Sequence, residues 1–301
     1  MERTVSVSGA AMSQNRSVEE IFSLLQQAGY SCADFWLYRY CLNEDSPMAQ
    51  SSWREWVNQV RLSAQEYHLT FVQAHALFNI FIPEDFRFVP PDKMIFRNIE
   101  AGGLLSCGKL VFHPLFYPYH MKDREDREWI IDYNIRWFSL LLDSAKQAGI
   151  EILLENTFDF AHCQTGPEDP PFVFSREEDM RSLLEGIDST AVGLCLDTGH
   201  ANIAKWDIPA AIHKWGERLK ALHLNDNYGL ISPVYEDLHL FPGYGSIQWQ
   251  EVFSALLDVG FTGALNIEPS GELGRSAGTV CRVMLSAGRE ILTLMAGEAG
   301  L

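Results

Sequence analysis

Val192-Gly193-Leu194-Cys195-Leu196-Asp197, followed by Thr198-Gly199-His200, is an apolar run that stops on a carboxylate. It reads as a buried β-strand, and the same design recurs along the chain. Residues 69–75 end on His75, 110–113 on His113, 151–155 on Glu155, 219–223 on His223 and 264–268 on Glu268. Core packing alone does not repeatedly end apolar runs on metal-competent or proton-transferring groups. In a barrel of parallel strands such ends meet on one face, and that face holds the active site.

Working outward from these runs, strand and amphipathic helix alternate from end to end, the pattern of a parallel sheet with helices outside. Two more strands are expected at 4–8 and 32–38. A helix starts after Ser17, which is followed three residues later by Glu20 as in a capping box. Further helices are expected near 53–66, 92–105, 125–148, 176–186, 207–217, 248–258 and 279–295. The result is an α/β chain with eight strands and eight helices: a (β/α)8 barrel forming one domain over residues 1–301. No linker, repeat or low-complexity stretch suggests a second domain.

A 47% hydrophobic content suits a globular protein with a sizeable core. The N-terminal residues enter an alternating strand with no signal-like apolar region. The longest apolar stretch outside the strands, around Trp137–Leu142, is far shorter than the ~20 residues a membrane span needs. The six cysteines include no C-x-x-C pair, so neither a zinc knuckle nor a redox motif is present. A cytoplasmic location and no membrane partner are the expectation. The net charge of −17 leans against nucleic acid, whose phosphates must be met by Lys and Arg.

Three carboxylates and an imidazole from four successive strand ends, Glu155, Asp197, His223 and Glu268, suit a divalent ion such as Mn²⁺, Mg²⁺, Co²⁺ or Zn²⁺. Either glutamate can serve as ligand and base. His200 lies three residues beyond Asp197, and Asp237 and His239 share one side of an extended segment. Together with His75 and His113 they are candidates for substrate contact or a second metal. Asn225-Asp226-Asn227, just after His223, offers polar groups for sugar hydroxyls. The segments containing Phe78 and Phe81, Phe116-Tyr117-Pro118-Tyr119, Phe158-Asp159-Phe160 and Phe172-Val173-Phe174 are rich in aromatics. They form a lid or aromatic wall for a ring-shaped substrate, or pack on one another or a second copy of the chain.

The segments Glu155-Asn156, Leu196-Asp197-Thr198-Gly199-His200-Ala201-Asn202, His223-Leu224-Asn225-Asp226-Asn227 and Asp237-x-His239, with Pro242-Gly243-x-Gly245-Ser246-Ile247, resemble the xylose-isomerase-like TIM-barrel superfamily. That superfamily covers sugar and sugar-phosphate isomerases and epimerases and the apurinic-site endonucleases. The resemblance runs over nearly the whole chain. In the ketose-epimerase branch it implies one metal ion on Glu155, Asp197, His223 and Glu268, with the two glutamates as acid/base pair and His200 touching substrate. In the endonuclease branch it implies three zincs on His75, His113, Glu155, Asp197, His200, His223, Asp237, His239 and Glu268. The arginine that follows the metal-binding histidine in ketose epimerases has no counterpart in Asn225-Asp226-Asn227-Tyr228.

The expectation is a metal-dependent sugar isomerase or epimerase working through an enediolate. It would use one divalent ion and no organic cofactor, and take a small sugar and no nucleic acid; a homo-oligomer is compatible with this reading. A zinc-cluster endonuclease and a keto-sugar dehydratase or lyase are the alternatives on the same residues.

Overall fold

The computed structural model describes residues 3–117, 124–158, 173–230 and 237–301. Eight parallel strands run through them: β1 (Val5–Val7), β2 (Cys32–Phe35), β3 (Thr70–His75), β4 (Lys109–Phe112), β5 (Glu151–Glu155), β6 (Val192–Asp197), β7 (Leu219–His223) and β8 (Leu265–Ile267). β2 to β7 pair in sequence order, and β1 pairs with β8. Bridges between Ser8 and Asp34 and between Leu224 and Ile267 join the two sheets, so the ring closes. Two hydrogen bonds fasten the second seam: Leu224 N–H donates to Asn266 O at 2.7 Å, and Glu268 N–H to Leu224 O at 3.1 Å.

Side chains alternate in and out of the ring. The residues two before the terminal His113, Glu155, Asp197 and His223 are therefore also inward. They are Val111, Leu153, Cys195 and Ala221, which form a small buried cluster of their own. This apolar plug is the floor on which the polar strand ends stand. The larger core lies between sheet and helices, where outward residues such as Phe112, Leu154, Leu196 and Leu222 are sealed from solvent. Each such side chain contributes roughly 1.5–3 kcal/mol by burial.

Several helices form where local signals ask for them. Ser17 and Glu20 make the reciprocal capping box at Val18–Gln27. Asp92 caps Lys93–Leu104 by accepting from Met94 and Ile95 N–H. The expected helix at 125–148 is instead two, Arg124–Ser139 and Leu142–Ala148. Ser139 Oγ–H donates back to Ile135 O at 2.6 Å, a bond that bends helices. Leu140 and Leu141 N–H then close tight three-residue turns. The strand expected at 32–38 stops at Phe35, and the chain then coils into a 3-10 turn at Leu37–Tyr40. Two short helices were not expected, Thr198–Ile203 and Gly271–Arg275. No helix among the described residues is long and apolar enough to cross a membrane.

Candidate active site

The strand ends and the segments after them bring together His75, His113, Glu155, Asp197, His200, His223, Asp237, His239 and Glu268. Glu155 is the hub. Its Oε2 lies 3.2 Å from both His75 Nε2 and His113 Nε2. Its Oε1 lies 3.1 Å from His223 Nδ1 and 3.5 Å from His200 Nδ1. Glu268, just after β8, approaches the same His223 Nδ1 at 3.4 Å. Asp237 touches His239 Nε2 and lies 3.2 Å from His200 Nε2. Ligand atoms fall into three groups, each within 4.8 Å: Glu155, Asp197, His223 and Glu268; His75, Glu155 and His223, which shares two members with the first; and, separate from both, His200, Asp237 and His239.

Register sets this geometry. A shift between Leu194 and Cys195 in the pairing of β6 with β7 puts Asp197 directly opposite His223. Asp197 then caps the helix Thr198–Ile203, its Oδ1 accepting from His200 N–H at 2.7 Å. Its Oδ2 accepts from Asn225 Nδ2 at 2.7 Å. Gly199 must be glycine because a Cβ there would sit 1.8 Å from Asn225 Oδ1.

The hydrogen bonds of the imidazoles bear on what the site could hold. His75 Nδ1 donates to Ala76 O at 2.9 Å, His200 Nδ1 to Asn156 O at 2.8 Å and His239 Nδ1 to Glu268 O at 3.2 Å. A carbonyl only accepts, so each proton is assigned to that nitrogen. His223 Nε2 donates to Asp34 Oδ2 at 3.0 Å. Each ring then turns its other nitrogen toward a carboxylate, where lone pair faces lone pair unless a proton or a cation lies between. At His223 Nδ1 no hydrogen bond forms despite the nearby carboxylates. A divalent ion fits this arrangement of donors, and outer partners that fix the ring are what metal-binding histidines have.

Electrostatics agree. Burial pushes the Asp197 carboxyl up to about 7, with His200 pulling it down and Glu155 among the groups adding to the rise. Burial pulls His239 down, yet Asp237 beside it outweighs that and lifts it to about 10. Burial likewise raises Glu155, but His223 and His113 hold it well below the carboxylate range. His113 is lowered by burial in spite of Glu155. Such opposed shifts mark groups crowded around a charge that a cation would relieve.

Phe78 packs against His75 and His113 with ring centroids 5.2 and 4.9 Å apart, and Phe158 against His200 at 5.1 Å. Phe116 reaches His113 at 6.1 Å. These rings wall the site, whereas Tyr117 stacks on Phe86 and Phe81 faces solvent. Pro118, Tyr119, Asp159, Phe160 and Phe172 lie outside the described residues.

One expectation changes. Asn225-Asp226-Asn227 does not face the site as free polar groups. Asn225 is spent on Asp197, and Asn227 Nδ2 donates to Gly199 O. Asp226 latches the following loop by accepting from Gly243 N–H, Ile247 N–H and Trp249 Nε1–H. Asp197 and His223 are wholly buried. Asp34 is the residue missed. It sits inside β2 and accepts from His223, from Gln73 Nε2 at 3.1 Å and from Asn266 Nδ2 at 3.2 Å. Its signal was a lone acid in Cys32-Ala33-Asp34-Phe35-Trp36.

The model of the family described as xylose isomerase-like TIM barrel matches residues 22–284. An uncharacterized protein of Methanocaldococcus jannaschii is 28% identical over 172 residues, 56% of this chain and 53% of that protein. D-psicose 3-epimerase of Enterocloster bolteae is 32% identical over 112 residues, 37% of this chain and 34% of the epimerase. The chain thus spans about half the length of the first of these curated relatives and about a third of the second. A solved structure titled D-tagatose 3-epimerase-like protein superposes with a TM-score of 0.72 at 21% identity, over 99% of this chain and 98% of that one. With so much of its length matched and its eight strands closed into a ring, the chain belongs to the xylose isomerase-like TIM barrel family.

Proposed function

We propose that the protein is a divalent-metal-dependent sugar isomerase or epimerase that moves a proton at a carbon next to a carbonyl. The observation that carries this reading is the convergence of Glu155, from the end of β5, and Glu268, just after β8, on the same His223 Nδ1, at 3.1 and 3.4 Å. Glu155, Asp197, His223 and Glu268 would hold one ion. When bound, that ion supplies the positive charge that makes a carbon acid beside a carbonyl ionise near neutral pH. Asp34 and Asn225 orient His223 and Asp197. Glu155 and Glu268 remove and return the proton, one from each face of the substrate. Return to the opposite face epimerises, return to the neighbouring carbon isomerises, and loss of a β-hydroxyl dehydrates. His200 and His239 meet substrate hydroxyls, while Phe78, Phe116 and Phe158 cover its apolar face and exclude water. The epimerase names among the relatives and solved structures support the sugar class.

One observation favours a second reading, zinc-cluster hydrolysis of abasic DNA. Glu155 Oε2 is shared by His75 and His113, as a bridging ligand would be, and a third group stands ready at His200, Asp237 and His239. The net charge of −17 opposes it. Metal analysis of purified protein, with solvent deuterium exchange into a panel of ketoses, separates the two. One ion per chain with exchange supports the isomerase. Three zincs with salt-sensitive binding and incision of abasic duplex overturn it.

A further inference from the structure

The mouth of the barrel opens into a cavity of about 750 Å³. Asp237, His239 and Glu268 line it on the side of the site, and Gln14, Arg39 and Arg275 line it as well. In a chain with 40 acidic and 23 basic residues, arginines have carboxylates to spare. Neither Arg39 nor Arg275 forms an ion pair among the described residues, although Glu272 shares the same wall. Arg39 Nε is buried with no hydrogen-bond partner, an arrangement that costs free energy unless something else meets it. Its guanidinium stands 5.5 Å from the centre of the Tyr38 ring. Tyr38 in turn packs against His75 and Phe78, at 5.4 and 4.6 Å. The arginine thus borders the wall of the active site. Arg275 comes from the short helix Gly271–Arg275, which follows Glu268 after β8.

We propose that the cavity takes an anionic sugar, one bearing a phosphate or a carboxylate, with Arg39 and Arg275 receiving the oxyanion. The sugar part of this statement rests on the function proposed above. A guanidinium offers a planar fork of donors that matches carboxylate and phosphate oxygens two at a time. The candidate metal ligands Asp237 and Glu268 occupy the same cavity, so an anionic tail is drawn to the arginine side and kept away from the carboxylates. That polarity orients the sugar, leaving its uncharged carbonyl end toward Glu155 and Glu268. The absence of an arginine after His223 is then met from other loops, those after β2 and β8.

The test is calorimetric titration of the metal-loaded full chain with D-fructose, D-fructose 6-phosphate, 5-keto-D-gluconate and inorganic phosphate. Wild type is compared with Arg39→Gln, Arg275→Gln and the double variant. An anionic ketose should bind about tenfold or more tightly than D-fructose in wild type, and that ratio should fall toward one in the double variant. Whichever anion wins assigns the group. Equal affinities in wild type, a ratio that survives in the double variant, or no binding of any probe would overturn the proposal. If no sugar binds but inorganic phosphate does, and the double variant weakens it, the anion subsite stands and the sugar reading fails. Unchanged metal content and melting temperature certify each variant. If Arg39→Gln does not fold, the exposed Arg275→Gln alone should lower the ratio, and no change in it overturns the proposal.

Discussion

Asp34→Asn tests the outer support of the candidate metal centre. The Asp34 carboxylate is buried, and its Oδ2 accepts from His223, Gln73 and Asn266 within 3.2 Å. Replacement by an apolar residue would strand all three donors, at about 1–3 kcal/mol each. The sum rivals the 5–15 kcal/mol total stability of a typical domain, so Asp34→Leu would report only on folding. Asparagine avoids this. Its carbonyl can stand where Oδ2 does, and its NH2 falls at Oδ1, which has no partner to lose. What goes is the negative charge that polarises His223 Nε2–H and makes Nδ1 a better ligand. Losses of 10–100-fold in metal affinity are usual for such outer partners, equivalent to roughly 1.4–2.8 kcal/mol. Competition of Mn²⁺ or Zn²⁺ against a calibrated chelator measures it directly, with circular dichroism to show that the fold persists. A folded Asp34→Asn protein binding metal within twofold of wild type would refute the role assigned to Asp34.

Other substitutions probe the inner residues. Asp197→Ala should remove the ion and fray the helix Thr198–Ile203, losing about 1 kcal/mol for the cap; unchanged metal content by elemental analysis would rule out the ligand role. Glu268→Gln should abolish turnover of a responsive ketose while solvent deuterium exchange at one face persists, because Glu155 remains; Glu155→Gln should lose turnover too, and near-normal rates in both would send the proton transfer elsewhere. Gly199→Ala drives a methyl into Asn225 Oδ1 and should cost about 1–3 kcal/mol, read as a lowered denaturation midpoint with weaker metal binding; wild-type values for both would show that the close approach is dispensable.

Six of the eight strands were legible because each apolar run ends on a polar group that core packing alone does not call for. His75, His113, Glu155, Asp197, His223 and Glu268 were found that way, and all lie at one end of the ring. Asp34 escaped because it stands in mid-strand, where the reading looked only at strand ends. Asn225-Asp226-Asn227 was misread for a different reason. Polar side chains announce that hydrogen bonds exist, but their partners come from Asp197, Gly199 and the loop at 243–249, distant in sequence. The register shift at Leu194 and the helix break after Ser139 likewise depend on neighbours that a linear pattern does not contain. Arg39 and Arg275 were invisible as a pair because 236 positions separate them and only closure of the ring brings them to one cavity.

Asp197 arrives at the centre already aimed. One oxygen is tethered to the first turn of a helix and the other to Asn225, yet a carboxylate retains lone pairs beyond those two bonds. The loss of side-chain freedom is settled when the chain folds, so an incoming ion would find a socket that need not rearrange. The same tethering makes the position intolerant of a nominally equivalent ligand. Glutamate, one methylene longer, would have to release the helix, Asn225 or the ion, and His200 rides on that helix. Exchange at this position therefore resets two parts of the site at once, and a redesign of metal preference here has to move both together.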